Sequence, residues 1–126
     1  MIVSAYEHGQ LDLAHSDERR DILEHNGGSS SVQRIVVRDA VPMGNHYHAR
    51  KDESFVILKG FGSVLLRDVT SLRGPTIEER LIVGTVIRIP AMWAHAFLLA
   101  PGSEMLCFSS SRFDPRDLDM HPYHLR

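Results

Sequence analysis

From residue 32 onward, glycine and proline cut the chain into short apolar or alternating runs, and this spacing restricts it to an all-β fold. Residues 32–38 are β-branched and partly alternating. Residues 54–59 and 63–66 are apolar on both faces, and Lys59-Gly60-Phe61-Gly62 between them predicts a tight hairpin. Residues 70–76, with Gly74-Pro75, read as a loop. Residues 77–83 and 85–89 are two further strands joined at Gly84. Residues 95–99 and 103–109 make another pair, joined at Ala100-Pro101-Gly102. Six or more short strands with regular turn signals predict a closed or sandwiched β architecture.

The first thirty residues admit two readings. Ser16 is placed to cap a short helix with Asp17 and Glu18 in its first turn and Asn26-Gly27-Gly28 as its stop. An irregular arm or edge strand fits equally. Gly27-Gly28-Ser29-Ser30-Ser31 is a flexible connection too short to separate domains. The expected layout is an N-terminal arm over 1–31, a barrel over 32–112 and a tail over 113–126, carrying Pro115 and Pro122, that packs on the barrel.

A chain of 126 residues is the size of one domain, and 43% hydrophobic residues exclude disorder. The single cysteine, Cys107, excludes an internal disulfide and falls in an apolar run, as a packed core thiol does. No basic leader and no long apolar stretch is present, so a cytoplasmic location with no membrane partner is expected. A net charge of -2 without a basic run speaks against nucleic acid. The cations are twelve Arg and only Lys51 and Lys59. Arginine forks suit phosphate oxygens, although genomic base composition is the plainer source of the excess.

The chemistry-bearing segment is Gly44-Asn45-His46-Tyr47-His48, followed by Glu53 and Gly60. Residues two apart on a strand share a face, so His46 and His48 converge on one ion while Tyr47 points away. The segment 49–52 is turn-like and returns Glu53 to the same cavity, where an unpaired buried carboxylate would be costly without a cation. A second segment runs from Gly84 through Pro90 to Trp93-Ala94-His95 and offers the fourth ligand. Three histidines and a carboxylate suit zinc first, with nickel, manganese, iron or copper as alternatives. Taken singly, His95 reads as a hydrogen-bonded core histidine and Glu53 as a solvated turn residue; the joint pattern makes them ligands. His8, His15, His25, His121 and His124 lack that context and read as surface residues.

These two segments resemble the motifs of the cupin superfamily. The first pairs an H-x-H with a glutamate and then a glycine, here His46, His48, Glu53 and Gly60; the second is matched by Gly84, Pro90 and His95. Met92 stands where a glycine is usual, and Leu99 where an asparagine often follows. The resemblance implies a single-domain double-stranded β-helix, the cupin jelly-roll barrel, and a homodimer. Gly44 to His48 with Lys51, Glu53 and Phe55, plus the late Phe113-Asp114-Pro115, resembles the cupin domain of capsular-polysaccharide nucleotide-sugar reductase/epimerases. A looser similarity runs to the sugar 3,4-ketoisomerases, which tend to carry tyrosines where this chain has Val36 and Val37, and to lack the full metal set.

The function implied is isomerisation or epimerisation beside the carbonyl of a nucleotide-linked keto-sugar, which makes an enzyme the leading expectation. A divalent cation would act as Lewis acid. The base would be His48 in a metal-free cavity, or Tyr47 or Tyr123 if either reaches it. Arg50, Lys51 and Arg88 are candidates for the diphosphate, and Trp93 and Phe61 for stacking on a ring; each is equally read as surface charge or packing. Two rivals stand beside this reading: a metal-dependent dioxygenase of a small substrate, and a non-catalytic module that binds a small ligand.

Overall fold

The structure is a computed structural model that describes residues 12–27, 30–111 and 114–126. Its elements are β1 (Asp12–Ser16), β2 (Arg20–Gly27), β3 (Ser30–Val37), β4 (Met43–Tyr47), β5 (Glu53–Lys59), β6 (Phe61–Asp68), β7 (Ile77–Ile82), β8 (Val86–Ile89), β9 (Trp93–Leu99), β10 (Glu104–Ser109) and β11 (His121–Pro122). Among the described residues there is no helix, and therefore none long and apolar enough to cross a membrane. His8, Gly28, Ser29 and Phe113, each singled out above, lie outside the described residues.

Two antiparallel sheets face each other. One has the order β1-β2-β3-β10-β5-β8, the other β11-β4-β9-β6-β7. The alternation expected of a sheet with one face in the core is clear in β5, where Glu53, Phe55 and Ile57 are buried and their neighbours are not. Val37, Met43, Ile57, Val64, Leu99 and Met105 fill the space between the sheets, each with almost no exposed surface.

Strand positions follow the apolar runs, but three expected local pairings do not form. β5 and β6 are not a hairpin, since they lie in different sheets, and the same holds for β7 with β8 and β9 with β10. The reason is visible at Gly60. It is the only residue between β5 and β6, fewer than the two a tight hairpin loop requires. With φ +86°, and with Ser103 so close that a Cβ would overlap it, Gly60 turns the chain through a corner into the opposite sheet. The strands then find partners far away in sequence: β5 pairs with β10 from Ser109↔Glu53 to Glu104↔Lys59, and β9 pairs with β6 and β4.

The helix considered for residues 16–27 is replaced by strands. β2 pairs with β3 from Arg20↔Val37 to Gly27↔Ser30, so Gly27, Ser30 and Ser31 belong to a ladder and not to a flexible connection. Asp17 closes the β1–β2 turn by accepting from the backbone N–H groups of Arg19 and Arg20. Arg20, Ile22 and Glu24 thus share one face of β2, and all three line the cavity between the sheets.

Candidate metal centre

Four side chains, three from β4, β5 and β9 and one from the turn after β4, meet in a cavity of about 330 Å³. The approach of β4 to β9 is set by a bulge: Gly44 pairs with Ala96 and His46 with His95, leaving Asn45 unmatched at φ +53°. Gly44 itself has φ +101°, and a Cβ there would lie 2.7 Å from the His95 carbonyl oxygen. A glycine is therefore what lets the two ligand-bearing strands close on each other. His48 follows the end of β4, Glu53 opens β5, and His95 lies on β9. The turn before His95 passes through Met92 at φ +69°, a left-handed conformation, which explains why a glycine is usual at this point of the motif.

The ring nitrogens of His46, His48 and His95 lie within 4.8 Å of one another. An ion centred among three such atoms would be at most ~2.8 Å from each, about 0.7 Å beyond a bond of ~2.0–2.1 Å, a gap that small side-chain rotations close. The Oε1 atom of Glu53 is 2.8 Å from His48 Nε2 and 3.7 Å from His95 Nε2. Both imidazoles are oriented through their other nitrogen. His48 Nδ1 donates to the Asp119 carbonyl at 2.7 Å, and His95 Nδ1 to the Trp93 carbonyl at 3.2 Å. A carbonyl only accepts, so each ring carries a proton on Nδ1 and turns its Nε2 toward Glu53, as a lone pair whenever the ring holds a single proton. Lone pairs facing a carboxylate repel unless a cation lies among them. Consistently, His48 Nε2 is fully buried and makes no hydrogen bond despite its nearness to Glu53. Two lone-pair nitrogens, a third imidazole and a carboxylate fit a divalent ion of the zinc type.

The electrostatics agree. Burial, with His95 and His48 adding to it, pushes the His46 pKa down to about 3, and burial lowers His95 as well, so both rings stay neutral. Burial alone would raise the Glu53 carboxyl, but positive charge beside it, on protonated His48 and His95 and on Lys51, outweighs burial and holds the pKa at about 2; a metal ion supplies that charge when the imidazoles are neutral. The second Glu53 oxygen accepts from the Cys107 thiol at 3.3 Å; burial, followed by the charge of Glu53, pushes that thiol far above its ordinary range. Cys107 is thus the buried packing thiol expected from its apolar run, and it also anchors a ligand.

These shifts predict how the metal-free protein responds to acid. The unfolded chain takes up a proton on His46 near pH 6.5 and on Glu53 near 4.5, whereas the folded chain does so only near 3 and 2. The unfolded state binds more protons throughout, so stability is full above about pH 6.5 and falls as pH drops toward 2. In chelator-treated protein the melting temperature should fall between pH 7 and 5, and His46→Gln should flatten that limb. Differential scanning fluorimetry reads both, and a pH-independent wild-type melting temperature over this range would contradict the assignment.

Other residues singled out by sequence lie elsewhere. Tyr47 stacks on His121 with ring centroids 5.0 Å apart, and the Tyr123 hydroxyl accepts from Arg67 at 2.8 Å; neither tyrosine is among the residues lining the cavity. Arg50 pairs with Asp117 and Arg88 with Asp52, both at 2.5 Å on the exposed surface. Trp93 packs against the core and Phe61 is 63% exposed, both outside the cavity lining. Lys51 alone of that group lines it. The sequence reading missed Arg20, His15 and the tail residues Leu118 and Met120, which line it too. Reading 20–27 as a strand would have exposed Arg20, because alternation sets it beside Ile22; no signal marks Asp119.

The segment 114–126 forms part of the site's support. Asp119, at φ +43°, presents its carbonyl to His48 while its carboxylate accepts from the backbone N–H groups of Ala49 and Arg50. Farther on, β11 pairs with β4, and Asn45 Oδ1 accepts from the N–H groups of Leu125 and Arg126.

The two-sheet barrel and the cavity it encloses have the cupin jelly-roll fold, and similarity to solved structures agrees. The capsular polysaccharide assembling protein CapF from Staphylococcus aureus superposes with a TM-score of 0.81 at 21% identity, covering 94% of this chain and 33% of that one. KdgF from Halomonas sp. has a TM-score of 0.66 at 19% identity, covering 83% and 90%. The vicilin from Corylus avellana has 0.68 at 19%, covering 77% and 31%. The chain belongs to the polysaccharide biosynthesis C-terminal domain family, whose model matches residues 15–121. It spans about a third of the length of CapF. No curated protein matches it.

Proposed function

We propose that this cupin holds a divalent ion on His46, His48, His95 and Glu53 and isomerises or epimerises a nucleotide-linked keto-sugar beside its carbonyl. The observation that carries the reading is the set of ring nitrogens within 4.8 Å of one another, two of them freed as acceptors by backbone carbonyls and faced by a buried carboxylate. Membership of a polysaccharide biosynthesis family supports a sugar substrate. When bound, the ion would supply a Lewis acid for a carbonyl oxygen.

The chain's own residues do the rest. Phe55, Phe97 and Met105 give the inner wall of the cavity an apolar surface that excludes water from a ring. Proton transfer requires a base outside the ligand set. His48 is committed on both nitrogens, and the tyrosines do not reach the cavity. His15 lines it, with Nε2 held by Asp17 at 2.6 Å, and we assign it the proton.

The test is incubation with a nucleotide-linked 4-keto-6-deoxyhexose in deuterium oxide, read by mass spectrometry. Deuterium should enter beside the carbonyl, at least a hundredfold more slowly with His46→Ala/His95→Ala. No incorporation above the enzyme-free rate would overturn the isomerase reading.

A homodimer is part of the proposal. Phe61 and Ile82 are register partners, Val83 and Val86 follow, and all four are 61–66% exposed. Light scattering should give twice the chain mass, and a monomer at all concentrations would remove this part.

A further inference from the structure

Two cations of the cavity lining have no ion-pair partner among the described residues. Arg20 lines it from β2, and its Nε is fully buried without a hydrogen-bond partner. Among the described residues no carboxylate pairs with the Arg20 guanidinium or with the Lys51 ammonium. Both residues share the cavity with the metal ligands, and Lys51 is close enough for its charge to favour the ionised form of Glu53.

The acids nearby are already engaged. Asp17 accepts from Arg19 and from two backbone N–H groups and bonds His15. Glu24 accepts from Gln33 at 2.7 Å, and Glu53 faces His48 and the Cys107 thiol. Elsewhere on the chain, Arg34, Arg38, Arg50 and Arg88 each have a carboxylate partner. Among the described residues Arg67 and Arg126 have none and are held instead by hydroxyl and carbonyl oxygens, so what sets Arg20 apart is its place in the cavity lining.

A buried guanidinium N–H without a partner is costly, and an oxyanion supplied from outside removes the cost. The fork of an arginine matches the paired oxygens of a carboxylate or phosphate. A cavity of about 330 Å³ has room for a hexose ring carrying such a group.

We propose that Arg20 and Lys51 form an anion subsite in this cavity, which takes the carboxylate or phosphate of a sugar-sized ligand. It rests on the cavity being the ligand site of the proposed function, and it is independent of the isomerase chemistry. Arg20 faces the anion, and Lys51 adds charge near the metal ligands.

The experiment uses three sugars that differ only at C6, which carries a phosphate, a carboxylate or a neutral hydroxyl: glucose 6-phosphate, glucuronate and glucose. Calorimetric titration of the full chain should show at least one acid binding tenfold or more tightly than glucose. Preference for the phosphate identifies a phosphoryl ligand, and preference for glucuronate a carboxylate; either supports the subsite. Arg20→Gln should weaken the preferred acid at least tenfold, and Arg20→Lys should restore part of it. The ligand-free Arg20→Gln protein should melt close to wild type, because no ion pair at bonding distance is lost, whereas a purely structural arginine would lower it. Equal binding of all three sugars, or undiminished acid binding by Arg20→Gln, overturns the proposal. The His46→Ala/His95→Ala protein separates the two readings: acid binding retained there without metal leaves the subsite intact, even if the metal-based function fails.

Discussion

Replacing Gly44 with alanine should lower stability by about 3 kcal/mol and weaken metal binding at least tenfold. Two costs combine. At φ +101° a side chain is strained by itself, at about 1–3 kcal/mol. The added Cβ would also lie 2.7 Å from the His95 carbonyl oxygen, and backbone has to move to relieve it. The movement separates β4 from β9 where His46 pairs with His95, so the loss of stability and the loss of metal share one cause. Gly102→Ala is the control. Its φ is +85° but nothing lies within 4 Å of a Cβ there, so it reports strain alone, at about 1 kcal/mol. Thermal melts should separate the two by several degrees. Equal losses, with wild-type metal affinity for Gly44→Ala, would show that the close approach of the strands is not needed.

The second large effect is expected at Asp119, which touches no ion. Its carboxylate, with only 8% of the side chain exposed, accepts from two backbone N–H groups at 2.8 and 2.9 Å, and these hold the turn after His48. Burial works to raise this carboxyl, and those N–H groups overcome it and keep it below the ordinary aspartate range. Asp119→Ala removes both bonds and places an ordinary residue at φ +43°, a combined loss of about 2 kcal/mol. The carbonyl that orients His48 then loses its fixed position. Losing an outer-shell partner of this kind weakens metal binding about 10–100-fold. Asp119→Asn should recover much of both, since asparagine tolerates the left-handed region and keeps one acceptor. Unchanged metal affinity in Asp119→Ala would show that His48 does not depend on the tail.

The two predictions differ in how far the sequence announced them. Gly44 stands beside the H-x-H, and His46, His48, Glu53 and His95 were legible because a strand places alternate residues on one face. Strand positions were legible from β-branched runs and the turn residues between them. Pairing was not. Residues 54–59 and 63–66 look like a hairpin, yet a single glycine sends them into different sheets, and nothing in local periodicity records that β5 faces β10. Supporting residues were hidden for the same reason. Cys107 reaches Glu53 because β10 lies beside β5, with Cys107 opposite Phe55. Arg20 enters the cavity because residues 20–27 form a strand that pairs with β3 instead of a helix. The contact between Asp119 and His48 spans 71 residues of chain, so spacing carries no trace of it.

The measurement that bears most directly on the account is elemental analysis of protein purified without a metal-affinity tag, compared with His46→Ala/His95→Ala. The account predicts close to one divalent ion per wild-type chain, zinc first among the candidates, and its loss from a double variant that still folds. Iron or copper would keep the site and shift its chemistry toward oxygen. No ion in the wild type, even after reconstitution, or equal content in the double variant, would contradict the claim that these four residues form a metal centre.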